Sequence, residues 1–291
     1  MVCITEKAML IALNVSQPSF KIQDREIARQ VAAQHGADGN VGEYKKHSIA
    51  KEALAEVRGI AGDARTFHYA QTLPWLDKGF RILPAANYLP YKIKMREFKN
   101  AFESAVKRFA KAYPRYREEA KAFLKGMFKI EDYPDPDSVA GLFSFDIDVA
   151  QIPKGDDFRV ALGLDEEEKL KKEIDDKKDR AFEEATQDLW SRLHAAVSHM
   201  RDRLESYSVD SDSGKVTAPF RDSLVENLRD LVDVLPRLNV TGDANLARTC
   251  QELRDSRCVS DAQALRDDPA ARQKTAETAK AVADKMAGYM N

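Results

Sequence analysis

Between residues 165 and 207 the apolar side chains Phe182, Ala185, Leu189, Leu193, Ala196, Met200, Leu204 and Tyr207 recur in steps of three and four. That spacing lines one face of an α-helix, so the segment predicts a single helix of about forty residues. Phe182, Leu193 and Leu204 repeat every eleven residues, a period that gives a nearly straight or slightly right-handed helix instead of a left-handed heptad coil. Asp165, Glu166, Glu167 and Glu168 suit its N-terminus, where the macrodipole favours anions. A helix this long buries its stripe only against other helices, so the expected fold is a mainly α long-helix bundle with coiled-coil-like packing, within a homo-oligomer.

A small antiparallel β element is expected beside it. Residues 8–15 form a short apolar run closed by Ser16, Gln17 and Pro18. Phe143, Phe145, Ile147 and Val149 alternate with polar residues, and Phe158, Val160 and Leu162 repeat the alternation after a Pro-Lys-Gly-Asp-Asp turn. Strands over about 8–15, 142–151 and 157–162 follow from that period of two. Asp24 is placed to cap a helix carrying Ile27, Val31 and Ala32, and the glycine-rich stretch 36–42 breaks it. A helix is expected from Glu43 to Pro74, then a proline-punctuated connector to Pro90, then a helix or helix pair over 91–129 ended or kinked at Pro114. The hydroxyl-rich stretch from Ser206 to Thr217 reads as a linker, dividing a domain at 1–207 from a helical segment at 218–291 that packs back on the long helix. Sparse apolar residues in 243–291 predict two weak, loosely attached helices there.

Lys plus Arg (46) and Asp plus Glu (48) nearly cancel over the 291 residues, but not locally. Residues 92–129 carry twelve Lys and Arg against four Glu, and residues 130–188 carry nineteen acidic against eight basic residues. A basic helix with Tyr91, Tyr113 and Tyr116 beside it suggests single-stranded nucleic-acid binding, with cations on phosphates and rings on bases. Lys92, Lys99, Lys107, Arg108, Lys111, Arg115, Arg117 and Lys121 are the candidate contacts. The plainer alternative is that these side chains solvate an amphipathic helix and pair with the acidic segment. Glu131, Asp132, Asp135, Asp137, Asp146, Asp148, Asp156 and Asp157 supply oxygen ligands without the spacing of a calcium loop, so no metal is expected. His194 and His199 are five apart, roughly 140° around a helix, which excludes a joint metal site. His47 and His68 lack the Cys or carboxylate spacing of a zinc site or triad.

No phosphate-binding glycine loop, dinucleotide fingerprint or nucleophile elbow is present, so neither a cofactor nor an enzymatic activity is expected. Cys3, Cys250 and Cys258 do not make a disulfide framework and are expected as reduced thiols. The absence of a long apolar stretch or secretory signal predicts a cytoplasmic protein without a membrane partner. Trp75 and Trp190 are expected in packing roles.

Several blocks carry a resemblance: Ala8-Met9-Leu10 through Asn14-Val15-Ser16, Thr66-Phe67-His68-Tyr69 with Gln71-Thr72-Leu73-Pro74-Trp75, and Leu83-Pro84-Ala85-Ala86-Asn87-Tyr88. Phe143-Ser144-Phe145, Gly155-Asp156-Asp157-Phe158-Arg159-Val160, Trp190-Ser191-Arg192-Leu193-His194 and Ser198-His199-Met200 belong with them. Over roughly residues 8–240 the chain resembles a family of uncharacterised proteins of tailed bacteriophages. The resemblance implies a non-structural role in the host cell cytoplasm and assigns no catalytic residue. The expected function is that of a non-enzymatic accessory protein binding nucleic acid, or a replication or recombination protein, through the basic helix. The alternative is an adaptor or inhibitor engaging a phage or host protein, including a defence factor, through the acidic hairpin and long helix.

Overall fold

A computed structural model describes residues 4–37, 41–76, 79–157, 164–209, 215–256, 258 and 261–289. The first half of the chain forms β1 (Ala8–Ser16), β2 (Lys21–Gln23), α1 (Arg25–Gln34), β3 (Lys45–His47), α2 (Ala55–Ala70), β4 (Leu73–Pro74), β5 (Arg81–Pro84), α3 (Tyr88–Leu124) and β6 (Ser144–Ala150). It continues with α4 (Leu164–Ser206), β7 (Ser208–Val209), β8 (Val216–Thr217), α5 (Ser223–Leu238), α6 (Ala244–Asp255), α7 (Ala262–Asp267) and α8 (Pro269–Ala287). The protein is mainly α with a small sheet of strand order β4-β5-β1-β6, in which β5 runs antiparallel to β1 and β4. Among the described residues no helix is long and apolar enough to cross a membrane.

The chain divides into two compact units interleaved in sequence: residues 1–12, 69–91 and 149–291 form one, and residues 13–68 and 92–148 the other. In the first unit α4 is the expected long helix, 43 residues, with Phe182, Ala185, Leu189, Leu193, Met200 and Leu204 buried. Trp190, 2% exposed, joins that stripe, stacks on Tyr289 and donates its indole N–H to Asp243 at 2.9 Å. The helices α5 and α8 lie against α4, and Leu224, Leu228 and Leu235 of α5 enter the same core. The stretch 206–217, expected as a domain boundary, therefore joins two parts of one unit. The tail is likewise no loose attachment: Ala276, Ala279, Ala283 and Met286 of α8 and Leu246, Cys250 and Leu253 of α6 are core residues. An alanine stripe has little hydrophobic signal in sequence, yet small side chains let two helices approach closely.

Other expectations are corrected locally. The helix expected from Glu43 begins only at Ala55; before it come β3 and a 3₁₀ turn at Lys51–Leu54. The connector 74–90 supplies β5, whose Ile82 and Leu83 are buried in the sheet. The helix α3 continues through Pro114, which cannot donate a backbone hydrogen bond there. The strand expected over 142–151 is β6, whereas its expected hairpin partner at 157–162 lies outside the described residues apart from Asp157, which closes a 3₁₀ turn.

In the second unit α2 runs antiparallel to α3. Phe67 meets Phe98 with ring centroids 5.8 Å apart, and about three turns further along Glu56 pairs with Arg108. Phe102, Phe109 and Tyr113 on the inner face of α3 pack with Phe20, Phe143 and Phe145 into an aromatic core. Such pairs add directional stabilisation beyond area burial.

Candidate functional site

The sequence places Met95, Phe102, Ala105, Val106, Phe109 and Tyr113 at helical spacing, and burying that stripe turns the opposite side of α3 outward. Lys92, Arg96, Lys107, Lys111, Lys121 and Lys125 are all exposed. Lys107 and Lys111 are one turn apart, Lys121 follows after roughly 21 Å of helix from Lys107, and Lys125 lies just past the end of α3. Among the described residues Arg96, Lys107, Lys111, Lys121 and Lys125 take part in no ion pair. Glu103 and Glu118 are exposed on the same helix and reduce the surplus without cancelling it.

Arg108, Arg115 and Lys99 are engaged, and Arg117 is drawn inward. Arg108 pairs with Glu56, a contact that raises the guanidinium pKa and lowers that of the carboxyl. Arg115 lies 3.3 Å from Glu119 and over the Tyr116 ring. Lys99 Nζ is 3.7 Å from Asp146, and Arg117 is half-buried, its Nε without a hydrogen-bond partner among the described residues. The tyrosines do not fulfil the expected stacking role. Tyr91 and Tyr113 are fully buried, the Tyr113 hydroxyl donating to the Pro134 carbonyl at 3.1 Å, and Tyr116 leans on Phe109. They fall on the inward stripe because their spacing matches the Phe residues.

The acidic residues do not converge. Asp132 is drawn to Lys46 at 2.8 Å, Asp135 accepts from the Asp137 backbone N–H, and Asp148 accepts from Asn14 Nδ2 at 2.7 Å. Among the described residues no group of three or more His, Cys, Asp or Glu side chains is placed to hold a metal ion.

The Lys46 site was not legible in the sequence. Its ammonium group donates to Asp24 at 3.0 Å and to the Met127 carbonyl at 2.6 Å, besides its contact with Asp132. Asp24 also caps α1, accepting from the Ile27 N–H at 3.3 Å. Burial works against the Lys46 charge, but the two carboxylates outweigh it and raise its pKa above the ordinary lysine value. Cys250 and Cys258 are buried and unpaired, and burial pushes the Cys250 thiol up to about 11.

No family model, curated protein or solved structure matches the chain.

Proposed function

We propose that this protein binds nucleic acid through the exposed face of α3, contacting phosphates and not bases. The observation that carries the reading is the exposure of Lys107 and Lys111 without an ion pair among the described residues, in line with Lys121 and Lys125. Lysines held out by a rigid helix neutralise a polyanion and release its counterions. With Tyr91 and Tyr113 in the core, those two rings take no part in base stacking, and the exposed lysines contact phosphates whatever the sequence. The role is one of binding, and the resemblance to tailed-bacteriophage proteins supports an accessory part beside phage DNA.

A salt titration tests it. If all five unpaired cations reach phosphates, log affinity for a single strand falls against log salt with a slope of up to about −3.5. Reversing Lys107 and Lys111 to Glu abolishes binding or flattens that slope, whereas Arg108→Ala, which removes a cation already paired, changes it little. Absence of binding at low salt, or an unchanged slope in the double reversal, overturns the proposal.

A further inference from the structure

In the first compact unit a cleft of about 610 Å³ opens between the 69–72 turn, β5, α4 and α5. Two guanidinium groups stand in its wall. Arg192 of α4 donates to the Thr72 carbonyl at 2.9 Å and to the Ala70 carbonyl at 3.3 Å. Arg81 of β5 donates to the same Thr72 carbonyl at 3.2 Å and to Thr72 Oγ1 at 2.7 Å. Two cations thus share one neutral oxygen, an arrangement that costs like-charge repulsion, and Asp188, 2.7 Å from Arg192, is the carboxylate that pairs with one of them. Burial and the Arg192 charge both hold the Arg81 pKa below its ordinary value. Nη1 of Arg81 has no hydrogen-bond partner among the described residues.

The rest of the cleft has a different chemistry. The Tyr69 ring, 54% exposed, lies under the Arg81 guanidinium at 4.8 Å. Leu231 and Val234 provide an apolar wall, and Asn227 and Asp230, both exposed on α5, provide an amide and a carboxylate. A free inorganic anion leaves the ring, the wall and Asp230 unused. A ligand with an anion at one end and a flat ring bearing N–H donors at the other uses all of them. The blocks around Tyr69, Gln71 and Arg192, which the basic helix leaves without a role, meet here.

We propose that this cleft is a nucleotide site, with the phosphate on Arg81 and Arg192, the base against Tyr69 and its edge donors toward Asp230. The site is separate from the face of α3 and does not depend on that reading. It takes either a free mononucleotide or the 5′-phosphorylated end of a single strand, which present the same groups.

Calorimetric titration of the full chain with deoxynucleoside monophosphates, the corresponding nucleosides, inorganic phosphate and 5′-phosphorylated or unphosphorylated oligonucleotides tests the assignment. The monophosphate is expected to bind, with nucleoside and phosphate each weaker by about tenfold or more, since a charge-assisted contact is lost in one and stacking in the other. Arg81→Gln abolishes binding. Because Arg81 also holds the 72 turn, Tyr69→Ala and Asp230→Asn, at exposed positions, provide variants expected to fold, and each weakens binding by about tenfold. Lys107→Glu with Lys111→Glu leaves monophosphate affinity unchanged, which separates this site from the α3 face. In that double variant, tighter binding of the phosphorylated strand than of the monophosphate identifies a strand end, and the reverse order identifies a free nucleotide. The proposal is overturned if no monophosphate binds at millimolar concentration, if phosphate alone or the nucleoside binds as well, or if Tyr69→Ala and Asp230→Asn bind like the parent.

Discussion

The Lys46 ammonium group, 4% exposed, is buried with two carboxylates, Asp24 and Asp132. Removing the cation leaves Asp24 buried without its counter-charge and Asp132, partly exposed, without its partner. Lys46→Met is therefore expected to destabilise the protein by about 3–5 kcal/mol at neutral pH, in equilibrium denaturation. The pH dependence has a definite sign at each end. Hydrogen bonding to Lys46 holds the Asp24 carboxyl below its ordinary value of 3.8 despite burial, so its contribution exists above the unfolded value and is lost as pH falls through the folded one. The raised pKa of Lys46 gives a contribution that is complete below the unfolded value of 10.5 and is lost as pH rises through the folded one. The gap in melting temperature between parent and Lys46→Met should narrow as pH falls below the ordinary Asp24 value of 3.8, where the contribution of that carboxylate is lost. A gap that stays constant down to strong acid would show that lost packing, and not the ion pairs, sets the difference. The capping role of Asp24 was readable, because a short acid before a periodic apolar run is a local signal. The burial of Lys46 was not, because Lys45-Lys46-His47 has no apolar periodicity and its partners lie 22 and 86 positions away in sequence.

At the scale of elements, legibility followed the length and strength of the hydrophobic period. The helix α4 and the strand β6 stood out because their stripes are built from large side chains over many residues or strict alternation. Short β4 and β5 did not, and the buried face of α8 was missed because alanine dominates it. Glycine positions give an element-level test of these packings. A Cβ added at Gly155 meets the Lys171 carbonyl oxygen of α4 at 2.7 Å, so the 3₁₀ turn at Gly155–Asp157 sits against α4 only because that atom is missing. Gly155→Ala should cost about 1–3 kcal/mol, as overpacking against immovable backbone does. Gly62 in α2 is exposed and a Cβ there meets nothing within 4 Å. Gly62→Ala should instead stabilise by about 0.5–1 kcal/mol through helix propensity. Thermal denaturation of the two variants checks both signs, and a stabilising Gly155→Ala would contradict the close packing of the turn on α4.

At the scale of the whole molecule, the two charge blocks do not coincide with the two compact units. The basic block at 92–129 lies within one compact unit, whereas the acidic stretch 130–188 is shared between that unit and the other. Lys99 and Asp146, 3.7 Å apart, join the two blocks. Sequence shows how much charge each block carries, but folding decides which charges meet, and here most of the exposed α3 lysines keep theirs. The interleaving has a second consequence. A polypeptide ending at residue 207 retains α4 but lacks α5, α6 and α8, whose Leu228, Leu235, Leu253 and Ala279 share a core with Leu189, Leu193, Val197 and Met200. Each large apolar side chain uncovered costs about 1.5–3 kcal/mol, so the loss of several exceeds the whole margin of a typical domain. The fragment 1–207 is expected to show no cooperative unfolding of α4 and to bind a hydrophobic dye, by circular dichroism and fluorescence, while the full chain unfolds cooperatively. A cooperative transition in the fragment at the melting temperature of the full chain would mean that α4 is stabilised without the C-terminal helices, against the shared core described above.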